Sequence, residues 1–140
     1  MKDLHSIIHT AQVIAPVSFA NNTALVGAII DRANYDSLEY VIALGTNAGS
    51  AGTYTVLLEE GNASNLSDAA TVAAPDLRGT IATTSWGFAD VSKTRKLGYT
   101  GNKRYTRMTI TPAANVAAVL VAVTAVLGNP VVSPTANPPQ

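Results

Sequence analysis

Large apolar side chains recur at every second position along much of this chain, and a two-residue period is the repeat of a strand with one buried face. Leu38, Tyr40, Ile42 and Leu44 keep one parity while Glu39 points the other way. Tyr54, Val56 and Leu58 do the same against Thr55, Leu57 and Glu59. Residues 45–52 between the two runs are small or polar and contain three glycines, which predicts a loop and makes the two strands a hairpin.

The remaining segments follow the same logic. Runs at 6–14 and 24–30 read as two further strands. Residues 70–77 are a weak segment, 80–84 an edge strand, and Trp86 and Phe88 stand at spacing two. Another strand is expected over 93–97, a turn over 98–102 and a strand over 105–111 that Pro112 closes. Residues 116–127 are apolar at both parities and rich in β-branched side chains, the pattern of a central strand covered on both sides. Short strands at this spacing predict an all-β chain, a jelly-roll-like antiparallel β-sandwich over residues 1–128 as a single domain. Residues 129–140 carry prolines at 130, 134, 138 and 139 and are expected to be an extended or disordered tail. No repeat of fixed period is present.

Catalytic chemistry finds little to stand on. There is no cysteine, which removes disulfides, thiolate nucleophiles and zinc knuckles together. His5 and His9 are four residues apart but lack a third ligand, so no metal is expected. The glycine-rich 45–52 segment is followed by a strand, whereas a phosphate cradle needs a helix N-terminus there. Glu59 and Glu60 are neighbours on a strand and point to opposite faces, so they do not form an acid and base pair. No Gly-x-Ser-x-Gly elbow occurs. The expectation is a protein without enzymatic activity or cofactor. Asp3, His5 and His9 interrupt what would be the apolar core of a signal peptide, and the apolar stretch 113–127 is too short to span a membrane comfortably, so neither secretion signal nor membrane segment is expected. Without that signal, the glycosylation sequons at Asn21, Asn62 and Asn65 carry little weight.

Charge is sparse and segregated. Nine Lys and Arg balance nine Asp and Glu, and only 13% of residues are charged against 47% apolar, a low density for a surface that faces water alone. Between Asp31 and Asp90 the only cations are Arg32 and Arg78, whereas Lys93, Arg95, Lys96, Lys103, Arg104 and Arg107 form a wholly basic stretch. With just Tyr99 and Tyr105 nearby and no net charge, this stretch points to an acidic protein surface and not to nucleic acid. If Met108 and Ile110 face the core, Tyr105 and Arg107 face outward, so Arg95, Arg104, Tyr105 and Arg107 are candidate interface residues. Alternation also leaves Val41, Ala43 and Leu57 outside, an apolar patch on the expected hairpin that favours a homodimer.

Several segments carry a resemblance: Asp31-Arg32, Tyr35-Asp36-Ser37-Leu38-Glu39-Tyr40-Val41-Ile42, Leu58-Glu59-Glu60, and Gly98-Tyr99-Thr100-Gly101-Asn102-Lys103-Arg104-Tyr105. Together they resemble small phage virion proteins encoded beside the major capsid protein, in particular the capsid cement proteins of the Bordetella phage type. The resemblance spans about residues 1–130, including the Gly128-Asn129-Pro130 ending. It implies a jelly-roll domain, without cofactor, that dimerises and binds an HK97-fold shell of the major capsid protein from outside. The chain would be made in the bacterial cytoplasm and reside on the virion surface. Leu57 and Leu127 stand where polar residues are expected on this resemblance, which favours a partner over the outer face. The alternative is a carbohydrate-binding or adhesion module, for which Trp86 is the sole tryptophan available as a sugar platform.

Overall fold

The structure is a computed structural model and describes residues 3–138. After a 3₁₀ turn at His5–Ile7 come β1 (Ile8–Phe19), β2 (Leu25–Val26), β3 (Ile30–Asp31), β4 (Tyr35–Asn47), β5 (Thr53–Gly61), β6 (Ala70–Thr71) and β7 (Leu77–Arg78). A one-turn helix α1 (Ile81–Thr84) precedes β8 (Trp86–Gly87), β9 (Thr94–Tyr99), β10 (Tyr105–Ala113) and β11 (Val119–Pro130). The first sheet has the order β1-β11-β4-β9-β7; the second runs β2-β10-β5-β6, with β3 added to β10 and β8 to β5. All pairings are antiparallel. From β4 on, the long strands β4, β5, β9, β10 and β11 alternate between the sheets, and the short β2 and β3 carry the chain through the second sheet between β1 and β4; this is the jelly-roll arrangement of a β-sandwich, and the two sheets enclose one core.

The period of two fills that core. Leu38, Tyr40, Ile42 and Leu44 meet Tyr54, Val56 and Leu58 from the facing sheet, joined by Leu97, Tyr99, Met108, Ile110, Val121, Val123 and Leu127. Tyr40 is fully buried, and its hydroxyl shares a 2.7 Å hydrogen bond with Thr106 Oγ1 across the sandwich, satisfying both polar atoms.

Four sequence expectations change. The strands over 38–44 and 54–59 exist, but they do not pair as a hairpin: β4 hydrogen-bonds β11 and β9, β5 hydrogen-bonds β10, and the loop between them crosses from one sheet to the other. Alternation reports burial of a face and is blind to which strand lies beside it. The segment 80–84 is not an edge strand. Thr80 accepts from the Thr83 N–H at 3.1 Å and Thr83 returns the bond, a capping box that turns this β-branched run into α1. β11 is not covered on both sides. Val119, Val121, Val123, Ala125 and Leu127 are buried, whereas Leu120, Ala122, Thr124 and Val126 lie on an open outer face. Leu127 itself is 1% exposed, so it is a core residue and not part of an outer surface awaiting a partner.

β1 is the edge of the first sheet. Two register shifts, between Gln12 and Ile14 and between Ile14 and Val17, together with Pro16, interrupt that edge and oppose strand addition. Residues beyond β11 turn back along the start of β1: the Thr135 N–H donates to the Ser6 carbonyl at 3.0 Å, and the Thr135 hydroxyl donates to the Ile8 carbonyl. Thr135 thus docks the segment after β11 against the start of β1.

Candidate docking surfaces

The seven candidate interface residues do not share one surface. Val41 and Ala43 are on the outer face of the first sheet, beside Thr124 and Ala122 of β11 and opposite Lys96 and Thr94 of β9. Leu57 is on the outer face of the second sheet, opposite Thr109. The patch expected from a hairpin is therefore two patches on opposite sides of the sandwich.

The basic residues are already occupied. Arg107 stands opposite Glu59 on the β10–β5 ladder and donates to one carboxylate oxygen through Nη2 at 2.9 Å and Nε at 3.2 Å. Arg104 forms a two-pronged bond to Asp31, Nε to Oδ1 at 2.9 Å and Nη2 to Oδ2 at 2.8 Å, and lies over the Tyr105 ring. That bond holds the Asp31 carboxyl below the usual carboxylate range. Arg95 pairs with Ile42 in register and so has the core-facing parity; its Nη2 reaches Asp90 at 3.0 Å. Lys93 takes the same carboxylate oxygen at 2.7 Å, and Asp90 is held low first by that bond and then by the Gly87 N–H. The acidic and basic stretches thus complement each other within one chain. Tyr105 and Arg107 do face outward, as alternation predicts.

At one end of the sandwich the chain builds a polar clamp. Arg32 Nη1 donates to the carbonyls of Gly101 at 2.6 Å and Lys103 at 3.2 Å, while its guanidinium lies 5.1 Å from the Tyr99 ring centre. The Tyr99 hydroxyl donates to Glu60 and accepts from the Lys103 N–H at 3.0 Å. Burial first, and then donation to Glu60, push the Tyr99 hydroxyl up to about 12. A Cβ at Gly101 would run into the Tyr99 ring, which is why the turn needs glycine there. Asp68 caps the neighbouring loop by accepting from the Asn62 and Ala63 N–H groups at 2.7 and 3.1 Å.

The opposite end is formed by four loops: after β1, between β4 and β5, between β8 and β9, and between β10 and β11. Its charges are Asp90 and Lys93, bonded to each other. Phe88 and Val91 are each 41% exposed, Leu120 43% and Val116 68%, so large apolar side chains project from two of these loops, β8–β9 and β10–β11, and from the adjoining strand β11. Beneath them an asparagine network fixes the loops. Asn115 accepts from the Tyr54 hydroxyl at 2.9 Å through its side chain, its own N–H donates to Asn22 at 2.8 Å, and its amide donates to the Asn21 carbonyl at 3.2 Å. Asn47 donates to the Tyr54 hydroxyl at 3.1 Å. The sequence reading missed this end because Phe88, Val91, Val116 and Leu120 are spread over 33 positions and no short-range period links them.

Trp86 is 6% exposed and stacks on Tyr54, ring centres 5.2 Å apart and planes 19° from parallel, so it belongs to the core and offers no sugar platform. His9 packs at 5.5 Å against Tyr35, and among the described residues no three His, Cys, Asp or Glu groups are placed to hold a metal. No described helix is long and apolar enough to cross a membrane.

No protein family and no curated protein sequence matches the chain. Among solved structures it is similar to the PBSX exported protein XepA, with a TM-score of 0.56 and 13% identity over 98% of this chain and 42% of that protein. It also aligns with a protein of the disulfide-linked pili of Bacillus endospore appendages (TM-score 0.41, 11% identity, 92% of this chain and 96% of that one). A third alignment is to Clostridium thermocellum xylanase 10B, CBM22-1 and GH10 modules (TM-score 0.44, 10% identity, 95% and 28%). The chain spans less than half the length of XepA, and what it shares with that protein is the β-sandwich fold.

Proposed function

We propose that this chain is a non-catalytic structural protein that binds the outer surface of an HK97-fold phage capsid as a homodimer and cements it. The observation that carries this reading is the polar clamp. Asp31-Arg32, Glu60 and the Gly98–Tyr105 stretch, which resemble the cement proteins in sequence, meet in one hydrogen-bonded cluster joining β3, β5, β9 and β10. Residues scattered over 75 positions therefore act as a unit, and a pattern shared at that unit is a pattern of architecture and not of chance composition. The fold shared with the phage-derived XepA is in keeping with it. So is the surface, whose arginines are committed within the chain and whose exposed sheet and loop positions are largely uncharged, a chemistry suited to permanent protein contact. The major capsid protein is the partner, and the chain works by adding buried area across subunit boundaries.

The test is addition of purified protein to empty shells that lack it. A ligand that binds only the assembled state raises the shell's melting temperature by mass action, by an amount that grows with concentration above Kd. Co-sedimentation with a raised melting temperature is expected. Shells that neither bind the protein nor gain heat resistance at saturating concentration would remove the cement reading.

A further inference from the structure

The sandwich is polarised along its strands. Tyr35, Gly61, Tyr99, Tyr105 and Pro130 mark the clamp end of β4, β5, β9, β10 and β11; Asn47, Thr53, Thr94, Ala113 and Val119 mark the other. Asp31, Arg32, Asp36, Glu60, Asp68, Lys103 and Arg104 gather at or beside the clamp end. The loop end has a single mutually bonded Asp90–Lys93 pair with Arg95 behind it. On a chain with equal numbers of acids and bases this separation is not a consequence of net charge.

We infer that the loop end, led by Val116, Phe88, Val91 and Leu120, is the surface that seats on the shell, and that its partner is an uncharged, apolar patch of the major capsid protein. This rests on the cement reading and adds which part of the chain does the binding. Charge complementarity selects the partner's chemistry. A strongly charged patch pressed against this end would lose its water and meet few ions in return, a single Asp90 carboxylate already shared by Lys93 and Arg95. The asparagine network supplies the second argument. It ties three loops to Tyr54 and to one another, so little conformational entropy remains to be lost when the loops are pressed against a partner. Size supplies the third. Two sheets about 10 Å apart and four or five strands wide present an end on the order of 500 Å², below the roughly 800 Å² per partner of a stable free complex. A contact of that size does not hold two free copies together, but it suits a fixed lattice on which a dimer engages two sites at once.

The experiment uses empty shells lacking this protein and three forms of the chain: parent, Val116→Asp, and Val132→Asp as a matched change at the opposite end. Val116 is 68% exposed and Val132 75%, so neither change should alter the melting temperature of the free protein. Val116→Asp is expected to weaken shell binding at least about tenfold, Val132→Asp less than about twofold, and Phe88→Asp is expected to follow Val116→Asp. Parent binding should change little as salt is raised, since exposed charges contribute little to the contact. If the parent binds and Val116→Asp and Phe88→Asp bind as well as it does, the loop end is not the docking surface while the cement reading survives. Loss of binding with Val132→Asp alone would place docking at the other end. Conversion of a dimer to a monomer by Val116→Asp, with shell binding intact, would make a second copy the occupant and overturn the inference. A parent that does not bind shells at all would remove the cement reading itself, and this inference with it.

Discussion

Arg107 and Glu59 face each other directly across the β10–β5 ladder, two guanidinium nitrogens converging on one carboxylate oxygen, with each side chain about three-quarters buried. Neither charge is free to greet a partner. Arg107→Glu places two carboxylates opposite each other, and like charges in that position destabilise a sheet. The expected loss is on the order of 1 kcal/mol, a fall of about 3 °C in melting temperature. Adding Glu59→Arg to the same chain should restore most of it. Scanning calorimetry of the single and double variants checks this; an unchanged melting temperature for Arg107→Glu would show that the pair contributes nothing.

Trp86 packs on Tyr54 inside the sandwich, so its removal is a matter of stability and not of recognition. Trp86→Ala leaves a large void beside Tyr54 and should cost about 3–5 kcal/mol, a substantial part of a typical domain's total. Urea unfolding would register it as a lower midpoint with an unchanged slope. A loss below about 1 kcal/mol would mean that the stack is not part of the core.

Much of the core was legible in the order of residues, because burial on one face imposes a period of two that nothing else in a chain produces. Tyr40, Ile42, Tyr54, Val56, Met108 and Ile110 all lie inside as alternation requires. What alternation does not encode is the neighbour. β4 and β5 are adjacent in sequence and belong to different sheets, so Val41 and Leu57, read as one patch, are on opposite faces. The same gap hid the ion pairs. Arg104 and Asp31 are 73 positions apart, and only the β3–β10 pairing brings them together. At 80–84, β-branched threonines argued for a strand, but the Thr80 hydroxyl offered the backbone a local bond that began a helix instead.

The clamp makes the protein sensitive to alkali. The Tyr99 hydroxyl is raised from 10.0 to about 12, so the folded chain keeps a proton that the unfolded chain gives up in that interval. Its contribution is fully present below pH 10 and is lost as pH rises through about 12. Buried Tyr40 is raised as well and acts with the same sign. Tyr99→Phe should lower stability at neutral pH by about 1–2 kcal/mol, since Glu60 and the Lys103 N–H lose their partner. The same variant should show a shallower fall in stability between pH 10 and 12. Denaturation midpoints measured across that range decide it; parallel curves for parent and variant would mean that folding does not shift the Tyr99 hydroxyl.

The separation of Val41 from Leu57 sharpens what a two-fold contact requires. An isologous interface uses one patch on each copy, so at most one of the two outer faces takes part. Around Val41 the outer row contains Ala43, Ala122, Thr124 and Val126; Lys96 stands directly opposite Val41 on β9, its exposed side chain long enough to carry the ammonium to the rim, and Glu39 lies two residues before Val41. Burial there holds the Glu39 carboxyl above its ordinary value, against the pull of Lys96. Around Leu57, by contrast, the Arg107–Glu59 pair occupies the next position along the ladder, and a dry interface would have to desolvate it. The first sheet is therefore the face expected to self-associate. Each apolar side chain fully buried there contributes roughly 1.5–3 kcal/mol before the cost of association, enough for one aspartate to tip the balance. Val41→Asp should convert a dimer to a monomer in analytical ultracentrifugation at micromolar concentration, and Leu57→Asp should leave it a dimer. The reverse pattern would move the contact to the second sheet, and a parent that sediments as a monomer would end the case for a free dimer on either face.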